Sequence, residues 1–379
     1  MSRKHNFYAG PATMPLEVLE ELRDELVEYK GMGLSIIETS HRSKEYDALH
    51  NETIQLVVKL LKVPANYKVL FMQGGATLQF SMVPMNLLAG GKTADVAVTG
   101  SWAKKALDDV KKYGKANVVF DGKANNYMTL PKLEDLKLSP DAEYLHICSN
   151  ETIGGIQFKN FPKLAVPYVA DMSSDILSRP LPIENFGIIF AGAQKNLGPA
   201  GLTLVIIRDD ILAKSPDSLG AYLSFKTHVT KVKAKDGSEK TEISLYNTPP
   251  VFSVWALNKC LKWIEKQGGA EGMQQKNEAK AKLIYDAINA SKGFYHCPVD
   301  AANRSTMNVV WTIQKPGLDE AATEALDKAF LKGAEALGML GLAGHRSVGG
   351  FRASLYNACP LASCQALADY MKDFAAKNA

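Results

Sequence analysis

The chain has 379 residues, 46% hydrophobic and 22% charged, and a net charge of +4. This is an ordinary globular composition, able to bury a core without staples, and its mild, mixed charge argues against a nucleic-acid partner. Five irregularly spaced cysteines without a Cys-x-x-Cys pair, an N-terminus lacking an apolar signal core, and the absence of a long apolar run predict reduced thiols, no metal site, no membrane association and a cytoplasmic location.

Residues 15–30 carry helical periodicity, with Thr13 as the expected cap before Pro15, and 44–62 read as a second helix. Short apolar strands then alternate with helices. "KVLFM" (68–72) precedes a helix at 77–89, and "ADVAVTG" (94–100) one at 102–112. "NVVF" (117–120), "EYLHICS" (143–149), "PYVADMS" (167–173), "FGIIFAGA" (186–193) and "LTLVIIR" (202–208) complete a set of seven. Strands apolar at nearly every position are those covered on both faces by helices. The alternation therefore predicts an α/β domain with a mostly parallel seven-stranded sheet flanked by helices. The polar segment 226–244, with Asp-Gly at its centre, predicts a protruding hairpin. Helices at 251–266, 271–290, 318–336 and 361–376, with strands at 306–313 and 351–356, predict a smaller α+β C-terminal domain. The expected division is a large domain over 16–255 and a small one built from 1–15 and 256–379.

Ligands of parallel sheets sit beyond the carboxyl ends of the strands, so the residues just after each strand matter most. Gly74-Gly75-Ala76-Thr77 lies between a strand and a helix, where backbone N–H groups face an anion or merely close a tight turn. Gly91-Lys92-Thr93 resembles the tail of a P-loop, but the first P-loop glycine would fall on Asn86 and a strand follows instead of a helix. Asp171 ends an apolar segment, as a turn cap or as a carboxylate beside a cation. Trp102 and Thr152 also follow strands, with core packing and a turn hydroxyl as their plain readings. Lys195 follows "FGIIFAGAQ", where partial desolvation favours a neutral, nucleophilic amine. Together a Schiff-base lysine, an upstream Asp, a glycine-rich helix start and a flat aromatic meet the needs of pyridoxal phosphate.

The motifs "NFYAGPATMP", "HRSKEYD", "FMQGGAT", "TGSWAKKA", "SNETIGGIQF", "ADMSSDILSRP", "GAQKNLGPAG", "YNTPP" and "GHRSVGGFRASLYNA" span nearly the whole chain in order. In these the chain resembles the class V aminotransferases, enzymes of the pyridoxal-phosphate fold type I. The last motif is characteristic of members that make O-phospho-L-serine. The resemblance implies reversible transfer of an amino group from L-glutamate to 3-phosphooxypyruvate, giving O-phospho-L-serine and 2-oxoglutarate, in L-serine biosynthesis. It implies one pyridoxal 5'-phosphate per subunit, bound as a Schiff base to Lys195, with Asp171 at the pyridinium nitrogen, Trp102 on the ring and Thr152 at the phenolic oxygen. Ala76, Thr77 and Gln194 would hold the cofactor phosphate. Asn247 and Thr248 would reach it from the other subunit of a homodimer. Arg352 would bind the substrate α-carboxylate. His345 and Arg346 would bind the distal anion, joined by His41 and Arg42 from the neighbouring subunit. On this reading the two His-Arg-Ser copies, at 41–43 and 345–347, serve different active sites. Arg23, Arg208 and Arg304 stay structural. Ala76 stands where many members carry a third glycine, and 226–244 is longer than in bacterial relatives. The rival readings are an alanine– or serine–glyoxylate aminotransferase of the same class, a cysteine desulfurase, and a cofactor-binding homologue without catalysis.

Overall fold

A computed structural model describes residues 3–233 and 237–378. The chain opens with a two-residue strand, β1 (His5–Asn6), and α1 (Leu16–Glu25). α1 is shorter than its periodicity implies: it ends at Glu25, and the backbone turns left-handed only at Lys30 and Gly31. Thr13 does not cap α1; its hydroxyl donates to the Asn6 carbonyl instead, at 3.0 Å. α2 (Lys44–Leu61) is capped by Ser43, whose hydroxyl accepts from Tyr46 N at 3.1 Å. The serine of the first His-Arg-Ser is thus a helix cap.

The alternating region follows as β2 (Tyr67–Met72), α3 (Gly75–Leu87), β3 (Thr93–Val98), α4 (Ser101–Tyr113), β4 (Lys115–Asp121) and β5 (Ala142–Cys148). A tight hairpin, β6 (Asn150–Glu151) with β7 (Ile156–Gln157), interrupts it before β8 (Tyr168–Asp171), β9 (Phe186–Gly192) and β10 (Thr203–Arg208). The sheet order is β2-β10-β9-β8-β5-β3-β4. Every pairing is parallel except those of β10, which runs antiparallel to both β2 and β9. Successive residues of a strand serve opposite faces. Val69, Phe71, Leu145, Ile189 and Leu204 enter one core, and Leu70, Val96, Val169, Ile188 and Val205 the other. This two-sided burial is why the strands read as continuous apolar runs.

After a short α5 (Asp209–Leu212), β11 (Val229–Lys233) and β12 (Glu239–Ile243) pair antiparallel as the expected hairpin. Asp236, of its expected Asp-Gly centre, lies outside the described residues. α6 (Val251–Lys266), α7 (Gly269–Ala290), β13 (Tyr295–His296), β14 (Asn308–Ile313), α8 (Glu320–Ala336), β15 (Met339–Leu340), β16 (Phe351–Ser354) and α9 (Leu361–Asn378) complete the chain. β13, β14 and β16 form an antiparallel sheet around a second core of Phe294, Trp311, Phe330 and Phe351. β1 pairs with β15 and Phe7 enters the same core, so the N-terminal segment packs with the C-terminal lobe. The expected division at residue 255 falls inside α6, whose Leu257, Leu261 and Ile264 pack with the large sheet. Among the described residues no helix is long and apolar enough to cross a membrane.

Buried polar groups lock the two layers together. Asn150 Nδ2 donates to Ser174 Oγ and to Asn308 Oδ1, both at 2.8 Å, and Asn308 Nδ2 reaches Ser354 Oγ at 2.9 Å. Lys280, 2% exposed, donates to the carbonyls of Leu355 and Tyr356 at 2.7 Å, and burial pulls its pKa down to about 8.

His146, on β5 between Phe80 and Phe190, has a buried Nε2 without a partner, and burial pushes its pKa down to about 4. In the unfolded chain the ring takes up its proton near 6.5, so stability is intact above that pH and declines as pH falls towards 4. Urea unfolding should show that wild type loses about 2 kcal/mol more than His146→Leu between pH 7 and pH 5. Equal losses would mean that another group carries the acid sensitivity.

Candidate active site

The carboxyl ends of β2, β3, β5, β8 and β9 open on one side of the sheet, facing the C-terminal lobe. Three residues past β9 stands Lys195. Its Nζ donates to Thr152 Oγ1 at 2.7 Å and lies 5.7 Å from the centre of the Trp102 ring. Its stem packs on Gly10: a Cβ there would stand 3.4 Å from Lys195 Cγ, and Gly10 has φ +139. Ala12 N donates to Gln194 O at 3.0 Å, so the N-terminal loop is fastened beside the lysine. Gly10 lies in the "NFYAGPATMP" motif, but nothing in that stretch shows that it packs on the lysine.

Asp171, the last residue of β8, is 5% exposed. Its Oδ1 accepts from Ser173 N at 2.9 Å and Ser173 Oγ at 2.6 Å. Burial raises its pKa, while the Ser173 hydroxyl and the Lys195 charge act against the shift. Arg352, on β16, donates to Thr152 O at 3.2 Å, and its buried Nε has no partner. It forms no ion pair among the described residues, and burial pulls its pKa down. A half-buried guanidinium with unused donors is a receptor for a planar anion.

Glu151 follows the 143–149 strand beside Asn150 and Thr152, and "SNETIGG" alone assigns it no role. It is buried, and its carboxylate accepts from Trp102 N at 3.2 Å and Ala103 N at 2.9 Å. Burial pushes its pKa up to about 7, opposed by those two N–H groups and by Lys195, and reinforced by Asp171.

The cleft between the sheet ends and the C-terminal lobe is lined by Thr99, Tyr127, Glu151, His345, Phe351 and Arg352, among others. His345 Nδ1 is 2.7 Å from Ser347 Oγ, so the serine of the second His-Arg-Ser orients its own histidine. The His345 pKa is lowered by burial and then by the charges of Arg352, Arg346 and Lys105. Arg346 is exposed and does not line the cleft. His41 and Arg42 lie on the turn before α2, with Arg42 Nη1 4.0 Å from Glu242 Oε2, and neither lines this chain's cleft.

α3 starts at Gly75 after Gly74, φ 90, with no side chain capping it, so its first-turn N–H groups are free for an anion. Ala76 and Thr77 sit in that turn, and Ala76 is not among the residues with positive φ, so a third glycine is not needed there. Asn247 Nδ2 donates to Gln73 Oε1 at 3.2 Å, and Gln73 Nε2 to Thr248 O at 3.4 Å. In one chain, both therefore stand beside the residue that precedes the glycine turn.

An amine held by a hydroxyl, a buried carboxylate, an uncapped helix start and the orphaned Nε1 of Trp102 and Nε of Arg352 fit pyridoxal phosphate and an acidic substrate. A site of this kind on such a sheet defines a pyridoxal-phosphate-dependent transaminase, and the chain belongs to the class-V aminotransferases, whose family pattern matches residues 4–367. Over its full length it is similar to phosphoserine aminotransferases. It is 51% identical over 373 residues to that of Niallia circulans, covering 98% of both chains. The structure of phosphoserine aminotransferase from Bacillus circulans subsp. alkalophilus superposes with a TM-score of 0.92 at 50% identity, covering 100% of this chain and 99% of that one. The PLP-bound phosphoserine aminotransferase from Trichomonas vaginalis gives 0.87 at 38%, covering 98% and 100%. The chain is a pyridoxal-phosphate-dependent aminotransferase of this group.

A Cβ on Gly74 would stand 2.6 Å from Leu78 Cβ, in a left-handed conformation. Gly74→Ala should therefore cost about 1–3 kcal/mol in thermal unfolding and weaken cofactor retention. An unchanged midpoint and unchanged retention would contradict this account of the turn.

Proposed function

We propose that the enzyme transfers the amino group of L-glutamate to 3-phosphooxypyruvate, reversibly, in the cytoplasm and as a homodimer. The observation that carries the reading is Arg352: a guanidinium bonded to the carbonyl of Thr152, the residue whose hydroxyl holds the Lys195 amine, with its Nε unclaimed. Full-length identity to phosphoserine aminotransferases supports the choice of substrates.

Bound pyridoxal phosphate supplies the electron sink that makes a Cα–H bond breakable. Lys195 Nζ is the base that takes the Cα proton, and Thr152 Oγ1 holds that amine in place. Asp171, its carboxylate fixed by Ser173, would keep the pyridine nitrogen protonated. Trp102 would lie against the ring. Ala76, Thr77 and Gln194 hold the cofactor phosphate, with Asn247 and Thr248 of the partner subunit. Arg352 fixes the α-carboxylate and so aims the Cα–H at Lys195. The distal anion, a phosphate in one half-reaction and a γ-carboxylate in the other, is held by His345 and Arg346 with His41 and Arg42 of the partner subunit. Amino donor and amino acceptor would be held in turn by the same Arg352 and His345, so the kinetics are expected to be ping-pong.

With 2-oxoglutarate as acceptor, O-phospho-L-serine should be consumed with a kcat/KM at least about 100-fold above that of L-alanine, the worth of about 2.7 kcal/mol of distal-anion binding. Comparable values would favour an alanine–glyoxylate type of activity. Mixing an inactive Arg42→Ala enzyme with inactive Lys195→Ala should restore part of the activity through hybrid dimers. No recovery after verified subunit exchange would rule out shared sites.

A further inference from the structure

α4 has no cap of its own, because Gly100 precedes it and offers no side chain. The missing acceptor arrives from β6. Glu151, 1% exposed, places Oε1 on Ala103 N and Oε2 on Trp102 N, where the helix dipole favours a negative charge. Gly100 is glycine for this reason: a Cβ would stand 2.4 Å from Glu151 Cδ. Glu151 forms no ion pair among the described residues, so backbone N–H groups alone bond its carboxylate. The residue it grips through the backbone is Trp102, and the next residue along, Thr152, holds Lys195 and Arg352.

We infer that Glu151 is a positioning residue for amino transfer: its carboxylate, seated on the first turn of α4, sets where the Trp102 ring stands relative to Lys195. The inference rests on Trp102 being the residue that lies against the cofactor. It gives a function to a buried acid that the reaction itself does not use. Neutralising the carboxylate removes an ion–dipole contact and one of its two backbone acceptors, so the first turn and the ring shift.

The groups facing Glu151 are Asp171 and Lys195 at the sheet ends, Cys148 on β5 and Tyr127 from the turn beyond β4, with His345 and Arg352 of the C-terminal lobe lining the same cleft. Lys105 lies 4.3 Å over the Trp102 ring. Burial puts the Glu151 carboxyl at about 7, above the ordinary 4.5. Its ionisation therefore costs stability as pH rises from 4.5 to 7, so Glu151→Gln should not weaken the fold at pH 8. Positioning and stability thus make opposite predictions.

The test uses holoenzyme labelled with 5-fluorotryptophan, whose four tryptophans give four resonances, Trp102 being assigned with Trp102→Phe. The Trp102 resonance of Glu151→Gln should be displaced from that of wild type, because the first turn of α4 loses its carboxylate. The variant should unfold within a few degrees of wild type, release cofactor faster, and lose about tenfold or more in kcat with little change in KM. Gly100→Ala, which drives a Cβ into the same carboxylate, should displace the resonance from the helix side and serves if Glu151→Gln fails to fold. A Trp102 resonance in both variants that coincides with wild type would overturn the inference. Normal cofactor retention and kcat in Trp102→Phe would instead remove the role assigned to Trp102, and the catalytic consequence of Glu151 with it.

Discussion

Two adjacent residues, Glu151 and Thr152, bear on every part of the site at once. The Glu151 carboxylate takes the first N–H groups of α4, the Thr152 hydroxyl takes the Lys195 amine, and the Thr152 carbonyl takes Arg352. Those contacts join the end of one strand–helix unit, the end of another and the sheet of the C-terminal lobe. Glu151 ends a two-residue strand and Thr152 opens the turn after it, so they can carry this only if that hairpin is held in place. The β6–β7 ladder and the Asn150 bonds to Ser174 and Asn308 make it so. Each of these groups is buried, where a missing partner costs more than a made bond contributes, so the network holds as a unit.

The charge balance of the cleft follows from the same packing. Arg352, Arg346 and Lys105 all depress the His345 pKa, and among the described residues no carboxylate pairs with Arg352. Like charges gathered without counterions are costly in the free protein, and the cost is relieved when an anion enters. A doubly anionic substrate relieves it most. On the other side Asp171 is the buried acid nearest in function to Lys195, and Ser173 holds it by two hydrogen bonds. Cation excess on the substrate side and a fixed acid on the sheet side give the site its polarity.

The sheet was legible because strands covered on both faces must be apolar throughout, and six or more such runs leave little choice of architecture. Strand ends then pointed to Gly74, Trp102, Thr152, Asp171 and Lys195 without reference to any family. The reversed direction of β10 was not legible, since an apolar run carries no sign of its direction. Nor were β6 and β7, too short to show a period. Glu151 and Gly10 act through contacts with residues remote in sequence, at α4 and Lys195. The expected Thr13 cap gave way to a bond that fastens the N-terminal loop. The two His-Arg-Ser copies look alike only as letters: one serine caps α2, the other orients His345.

The geometric claim at the centre of this account is that Arg352 holds the α-carboxylate while the distal anion lies towards His345 and a second subunit. A crystal structure of the holoenzyme with O-phospho-L-serine bound tests it most directly. The account predicts the α-carboxylate within hydrogen-bond distance of Arg352 Nε, and the phosphate between His345 and the His41–Arg42 turn of the other subunit. A phosphate seated on Arg352, or His41 and Arg42 of the same chain closing the site, would contradict it.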